Sequence, residues 1–502
     1  MMMILSIQRA FLLACFFCLY VIYGSNIIPQ RGYLFHHDPT KDDARCAAYP
    51  DPGNIAVAVK TSAAEASLEQ LNRVATIFHC LRSDKLVFFS DLEQTLGSYQ
   101  LHDAVSDISP DLLKLHHDFT LYREQKKLAK SGLSVRDVQQ TPVLSSDLPV
   151  DNREAYKNLD KYKFMHMVEK MWQMHPDKDW YVFTDASAYY VWPGLVRYLE
   201  EQDATRPRFL SRATRIPQSD LDIPHGETGF ILSGVAVRAL MGSGKSIVSE
   251  WDRRMPFMES GHHAVATAVN AELNLTLTNT WPIMIGENPG LVPFQTNMWC
   301  EPVVALSNIT SDLALRLLGR EQALKYLSPK EFLAFKDLFH ELLFINPGTT
   351  RVIPDSPISY TKVEKWDNRA SLEDGEWAID WRDAATRDKG LIADMPEDPN
   401  HTADDCARAC NAFRDCMQFS HMAFDARFVI DDTVINQGGL CYLSRLYRFG
   451  TYRGLNQWED DGNNGNNAPN SVLNTQLWTS GWISKRWDTF SAKLTESCSM
   501  TM

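Results

Sequence analysis

Three short stretches of this chain carry residue types able to do chemistry. Gly242-Ser243-Gly244-Lys245-Ser246 resembles the end of a phosphate-cradling loop, but Ala239 stands where that loop needs its first glycine. The preceding VAVRALM has helical rather than strand spacing, so the stretch reads as a helix C-cap and turn. Asp185 closes the apolar run WYVFTD, at the carboxyl end of an expected parallel strand. Open α/β sheets bind ligands at that edge, although an N-cap or turn carboxylate has the same sequence appearance. His262-His263 opens a helix, and neighbours there point about 100° apart, which disfavours their chelating one metal together.

The elements that must position these residues follow from periodicity. IAVAVK (55–60) and KLVFFS (85–90) read as buried strands, and AEASLEQLNRVATIFHCL between them has helical spacing. DKYKFMHMVEKMWQMH is a helix leading into DWYVFTD, with Met165, Val168, Met171 and Trp172 as core. A second helix, PGLVRYLEEQ, starts with Pro193, then RFLS and GFILS add strands and HHAVATAVNAEL a helix. Residues 126–149 read as a polar excursion, 311–345 as helical, and 346–400 as a linker or wrapping segment. The loop EDDGNNGNNAPN (459–470) reads as exposed.

The chain has 502 residues, 44% hydrophobic and 23% charged, which is a globular composition. A net charge of −13 argues against nucleic acid as a partner and against adhesion to anionic lipid by charge alone. After Arg9 comes the uninterrupted apolar run Ala10–Tyr23. Bulky Ile22 and Tyr23 before Gly24-Ser25 disfavour peptidase cleavage, so the run reads as an uncleaved signal anchor over 1–28, followed by a stem over 29–45. The remainder is then lumenal. Cysteine usage agrees: of Cys 10, setting aside Cys15 and Cys18 leaves an even number for an oxidising compartment. Cys406, Cys410, Cys416, Cys441 and Cys498 crowd the tail at a spacing that fits disulfides better than zinc. Asn274, Asn308 and Asn400 open glycosylation sequons.

The runs KNLDKYKFMHMVEKMWQMHPDKDWYVFTDASAYYVWPGLVRYLE, PHGETGFILSGVAVRAL, LTLTNTWPIMIGENP and FQTNMWCEPVVAL resemble fungal members of glycosyltransferase family 31, the family of Fringe and the core-1 β1,3-galactosyltransferases. KTSAAEA and LVFFSDLEQTLGSYQLHDAV add to the resemblance, which covers roughly 46–345. The tail over 401–502, with GGLCYLSRLYRFG and TSGWISKRW, resembles a PAN/apple-like module that binds protein or carbohydrate.

The resemblance implies a single-pass type II Golgi protein with a GT-A-type α/β fold and a small disulfide-rich C-terminal domain. It implies inverting transfer from a UDP-sugar to a glycoprotein or glycan acceptor, with manganese on the diphosphate. Asp91, Lys163, Asp185, Ser187 and the turn Gly226-Glu227-Thr228-Gly229 stand at its donor-binding positions. Asp185, Ser187 and Asn308 stand at its metal positions, where Ser187 replaces a ligand Asp and Ser307-Asn308 replaces a His pair. His263 replaces the Asp base. Hard cations prefer charged oxygen, so the manganese site is degenerate, whereas histidine is an acceptable general base. An active enzyme and a silent pseudo-transferase serving as chaperone, lectin or partner of an active transferase both follow. The resemblance also implies a Cys46–Cys80 bond. Ser260-Gly261 replaces a family Cys pair, so Cys300 lacks its usual partner and an unpaired tail cysteine is either free or bridged to it.

Overall fold

The computed structural model describes residues 53–498 except 82, 133–143, 146–147, 150–151, 217–219, 243–245, 328–331, 346–359, 382–395, 427, 431–432, 436–438, 455 and 461–471. The expected anchor over 1–28, the stem over 29–45, Cys46 and most of the 459–470 loop lie outside the described residues. Among the described residues, no helix is long and apolar enough to cross a membrane.

The run IAVAVK forms β1 (Ile55–Lys60), buried at every position. Continuous burial requires layers on both faces, and the side chains divide accordingly with period two. Ile55, Val57 and Val59 enter one apolar cluster, and Ala56 and Ala58 enter another. Next come helix α1 (Leu68–Ile77), capped by the Ser67 hydroxyl, then β2 (Leu86–Ser90), β3 (Gln94–Leu96) and β4 (Tyr99–Asp103). Helix α2 (Lys163–Met174) leads into β5 (Trp180–Asp185), β6 (Tyr189–Tyr190) and α3 (Trp192–Glu200), with a proline in the first turn of α3. β7 (Phe209–Ser211), β8 (Phe230–Ser233), α4 (Gly234–Met241), α5 (Gly261–Leu273) and β9 (Thr278–Asn279) complete the layer.

The strands form an eight-stranded sheet in the order β9-β7-β8-β5-β1-β2-β4-β3. β1 runs parallel to β2 and to β5, and β2 parallel to β4. β8 is antiparallel to both of its neighbours, which makes the sheet mixed. Met165, Val168 and Met171 are buried as core of α2. Gly242 caps α4, as expected from the GSGKS stretch, with its N–H on Arg238 O. The polar 126–149 stretch opens with the helix Thr120–Lys130.

β10 (Met284–Ile285) and β11 (Ala305–Leu306) extend β6 into a small sheet, followed by α6 (Ser311–Leu327) and α7 (Phe335–Ile345). The C-terminal sheet contains β12 (Thr361–Glu364), β13 (Ala378–Ile379), β14 (Gln418–Ala426), β15 (Gly439–Ser444), β16 (Asn456–Asp460) and β17 (Val472–Trp482). Its order is β12-β17-β14-β15-β13, with β16 also on β17. The described part of the 346–400 segment therefore supplies two strands of that sheet. Helix α8 (Ala403–Ala412) packs on it, and α9 (Ser484–Cys498) follows it.

The described residues beyond 52 belong to one compact unit, in which helix α7 and the Phe294 loop meet the loop after β15 through aromatic contacts. Phe339 lies 5.3 Å from Tyr447 and 5.2 Å from Phe449, ring to ring, while the Phe294 N–H donates to Tyr447 O at 2.9 Å. Cys300–Cys498 adds a covalent tie from α9 to the loop before β11. Cys406–Cys441 and Cys410–Cys416 close within the tail. Of the two routes open to the fifth tail cysteine, the structure takes the bridge to Cys300. Cys80 is disulfide-bonded, and its expected partner Cys46 lies outside the described residues.

Candidate functional site

Parallel pairing brings the carboxyl ends of β1, β2 and β5 to one edge. Lys60 is in register with both Asp185 and Phe89, so the side chains just beyond these strands meet there. The antiparallel β8 starts at the same edge, and the glycine turn that precedes it folds over the site. Gly226 (φ +75°) and Gly229 (φ +72°) are left-handed, and any Cβ would strike backbone, 1.7 Å from Gly286 O and 1.9 Å from Phe183 O respectively. Only glycine fits either position. The turn is tied down by Asp185 N–H on Glu227 O at 3.1 Å and by the Tyr190 hydroxyl on Thr228 O at 2.5 Å.

The charged groups form a continuous network. Lys60 Nζ is hydrogen-bonded to Asp160 Oδ2 and lies 3.4 Å from Asp185 Oδ2. Lys163 Nζ lies 3.2 Å from Asp160 Oδ1 and 3.9 Å from Asp91 Oδ2, and donates to Thr61 O at 2.9 Å. Burial alone would lower the pKa of the Lys60 ammonium, but the Asp160 and Asp185 carboxylates outweigh it and hold it above the usual lysine range. Asp160 mirrors this: burial would raise it, and the two lysines keep it below the usual carboxylate range. Asp91 is buried and accepts from Ala63 N–H at 2.5 Å, from the Ser90 hydroxyl at 3.1 Å and from Gln125 Nε2 at 3.2 Å.

Ser187 bridges two acids. Its Oγ lies 2.9 Å from Asp185 Oδ1 and 2.6 Å from Glu227 Oε2, and its N–H donates to Asp185 Oδ1 at 3.0 Å. In the sequence Glu227 is only a member of the glycine turn; its link to Ser187 depends on that turn folding back over β5. β6 pairs Tyr189 with Leu306 of β11, which brings the Ser307-Asn308 end of β11 to the side of the edge where β6 begins. Asn308 is exposed with φ +52°, whereas Ser307 is buried with an unpartnered Oγ. Asp91, Lys163, Asp185, Ser187, Gly226 and Gly229 thus gather at one edge, with Ser307-Asn308 beside it.

The two histidines at the start of α5 diverge, as adjacent helical positions must. The Nδ1 of His263 accepts from Glu259 N–H at 3.4 Å, and the His263 backbone N–H donates to the capping Ser260 hydroxyl at 3.2 Å. His262 instead stacks on Phe164 at 4.8 Å, the ring over which Lys60 Nζ lies at 4.9 Å. Its Nε2 is buried without a partner. Burial first, and then the Lys60 charge, push the His262 imidazole down to about 3 despite the opposing Asp160. In the sequence His262 stands out only as half of the His262-His263 pair, and Lys60 only as the first residue of KTSAAEA; strand pairing is what sets Lys60 beside Asp185.

The donor set does not fit manganese. Ser187 offers a neutral hydroxyl already engaged with two carboxylates, and the Lys60 ammonium sits against Asp185 where a dication would be repelled. Among the described residues, three metal-ligating side chains converge only at His116, His117 and Asp118, which belong to another part of the chain. The sequons also differ. Asn274, at the left-handed C-cap of α5, is exposed, whereas Asn400 Oδ1 accepts from Cys441 N–H at 2.9 Å. No protein-family model and no curated protein sequence matches this chain.

Proposed function

We propose that this chain is a type II Golgi-membrane protein of the glycosyltransferase family 31 kind, with a GT-A-type domain and a PAN/apple-like tail. It takes a UDP-sugar at the carboxyl edge of β1, β2 and β5 and presents it to a glycoprotein or glycan acceptor. One observation carries the reading: residues the resemblance assigns to the donor, Asp91, Lys163, Asp185, Ser187 and the Gly226–Gly229 turn, meet at that edge from separate elements. The apolar run before Gly24 supports the anchor, and the disulfides support an oxidising lumen.

In this reading the donor is held without manganese. The glycine turn brings backbone close to the sugar, and Lys60 and Lys163 are the nearest cations to the diphosphate. Two imidazoles are available to take the acceptor proton. His262 stays neutral at physiological pH, but a pKa of about 3 makes it a weak base, and His263 is the one the resemblance sets at the base position.

A second reading, a silent pseudo-transferase acting as lectin, chaperone or partner subunit, is favoured by the same lysines. Both are already neutralised by Asp160 and its neighbours, which leaves little positive field for an anionic donor. Calorimetric titration of the purified protein with UDP and UDP-sugars, with and without manganese, separates the readings. Micromolar UDP binding that does not need manganese, together with sugar release or transfer lost in His263→Ala, supports the enzyme. Binding with no turnover supports the silent partner. No binding of any nucleotide under either condition overturns the enzyme and favours the silent partner.

A further inference from the structure

A second polar cluster sits in the single helical turn His117–Phe119, between the helices Pro110–Leu115 and Thr120–Lys130. Three consecutive side chains converge there. His116 Nδ1 lies 3.5 Å from Asp118 Oδ2, and His117 Nε2 lies 3.2 Å from Asp118 Oδ1. The two imidazole rings are 4.4 Å apart and tilted by 31°. One ligand atom from each residue falls within 4.8 Å of the other two. A tetrahedral ion with bonds of about 2.0–2.1 Å sets its ligand atoms roughly 3.3 Å apart, a spacing close to the two His–Asp distances, each to one oxygen of the carboxylate.

The carboxylate is held as a metal ligand would be. Asp118 is buried, and its Oδ2 takes the Tyr162 hydroxyl at 2.9 Å and Lys161 Nζ at 2.8 Å. Those partners fix its orientation from behind and leave Oδ1 toward His117, the outer-shell arrangement that orients ligating carboxylates. His117 is 79% exposed and gives an ion a route from solvent. We propose that His116, His117 and Asp118 form a binding site for a transition-metal dication of the zinc class, with the fourth position open to water.

The ligand chemistry sets the class. Two imidazole nitrogens and one carboxylate suit zinc, cobalt or nickel, whereas magnesium and calcium need more oxygens and manganese binds nitrogen donors weakly. Lys161 opposes any dication, so only strong nitrogen coordination overcomes it. The competing arrangement is metal-free: His116 Nδ1 accepts from Asp118 N–H at 3.3 Å as a helix cap, and His117 pairs with the acid. This proposal does not depend on the transferase reading, because its residues are not those of the strand edge.

The test is a cobalt titration of the whole purified protein, followed by visible absorption and repeated in His117→Ala and His116→Ala. Because His117 is exposed, its loss leaves the fold intact, which circular dichroism verifies. The expected result is saturable binding of one cobalt ion with the intense visible bands of four-coordinate geometry, displaced by zinc and not by magnesium. Affinity should fall in His117→Ala by more than the roughly 10–100-fold of an outer-shell loss. Cobalt binding of the same strength and spectrum in both variants overturns the proposal, as does the absence of saturable binding to the unmodified protein.

Discussion

The two large sheets share ion pairs but differ in what is added to them. At the open edge of the first sheet the fixed points are charges: Lys60 and Lys163 against Asp160, Asp91 and Asp185. In the C-terminal sheet disulfides and hydrogen bonds to backbone carbonyls are added to ion pairs such as Arg448–Asp374 and Arg453–Asp367. Cys406–Cys441 joins α8 to β15, and Arg486 Nη1 alone donates to the carbonyls of Cys410, Phe413 and Cys416. Asn368 reaches Phe419 O and Gly481 O across two strands. Ion pairs at a partly open edge respond to anything charged that enters, whereas crosslinks and carbonyl caps do not. The difference marks the first edge as the responsive region and the second sheet as a brace.

If the second sheet is a brace, cutting its covalent tie has the largest effect. Replacing Cys300 and Cys498 together by serine opens a bond spanning 198 residues and should cost about 4 kcal/mol. Urea unfolding followed by tryptophan fluorescence measures this, and an unchanged midpoint would break the comparison. The charged edge should be nearly as sensitive to loss of one partner. Lys60→Met leaves Asp160 and Asp185 facing each other, at a cost of about 3 kcal/mol. The double variant Lys60→Met/Asp160→Asn should recover part of that loss, and a simple sum of the two single effects would argue against direct pairing.

The glycine turn gives a smaller and sharper contrast. Gly229→Ala forces a side chain into left-handed backbone and against Phe183 O, which should cost about 2 kcal/mol or more. Gly319→Ala, inside helix α6 with open space around it, should be neutral or stabilising by up to about 1 kcal/mol. Equal effects in thermal melts would remove the case that the turn is built for close approach.

The smallest effect is a slope with pH. Glu321 bonds the hydroxyl of Tyr189 in β6, and burial raises its pKa from 4.5 to about 8 although that hydroxyl opposes the shift. A carboxyl raised on folding stabilises most while protonated, so its contribution is full below pH 4.5 and is lost as pH rises through about 8. Melting temperatures of the unmodified protein should therefore fall across that window relative to Glu321→Gln. Parallel curves for the two proteins would show that Glu321 does not titrate there.

The sequence by itself determined the local elements, because burial and helical period are written at consecutive positions. The continuous apolar run 55–60 could only be a strand covered on both faces, and the spacing of Met165, Val168 and Met171 could only be a helix against a core. It also carried Asp185 to the carboxyl edge, because a parallel strand ends where its sequence ends. Which side chains meet across that edge was not legible, since pairing depends on how strands and turns cross in space. Lys60 finds Asp160 across 100 positions and Ser187 finds Glu227 across 40. The choice between His262 and His263 depends on helix phase: one residue of rotation turns the first onto Phe164 and leaves the second at the cap. Strands β12 and β13 were hidden because two- to four-residue edge strands carry too little pattern to be distinguished from a linker. They become strands only where β17 and β15 offer them a ladder, so a neighbouring backbone, and not their own residues, decides their structure.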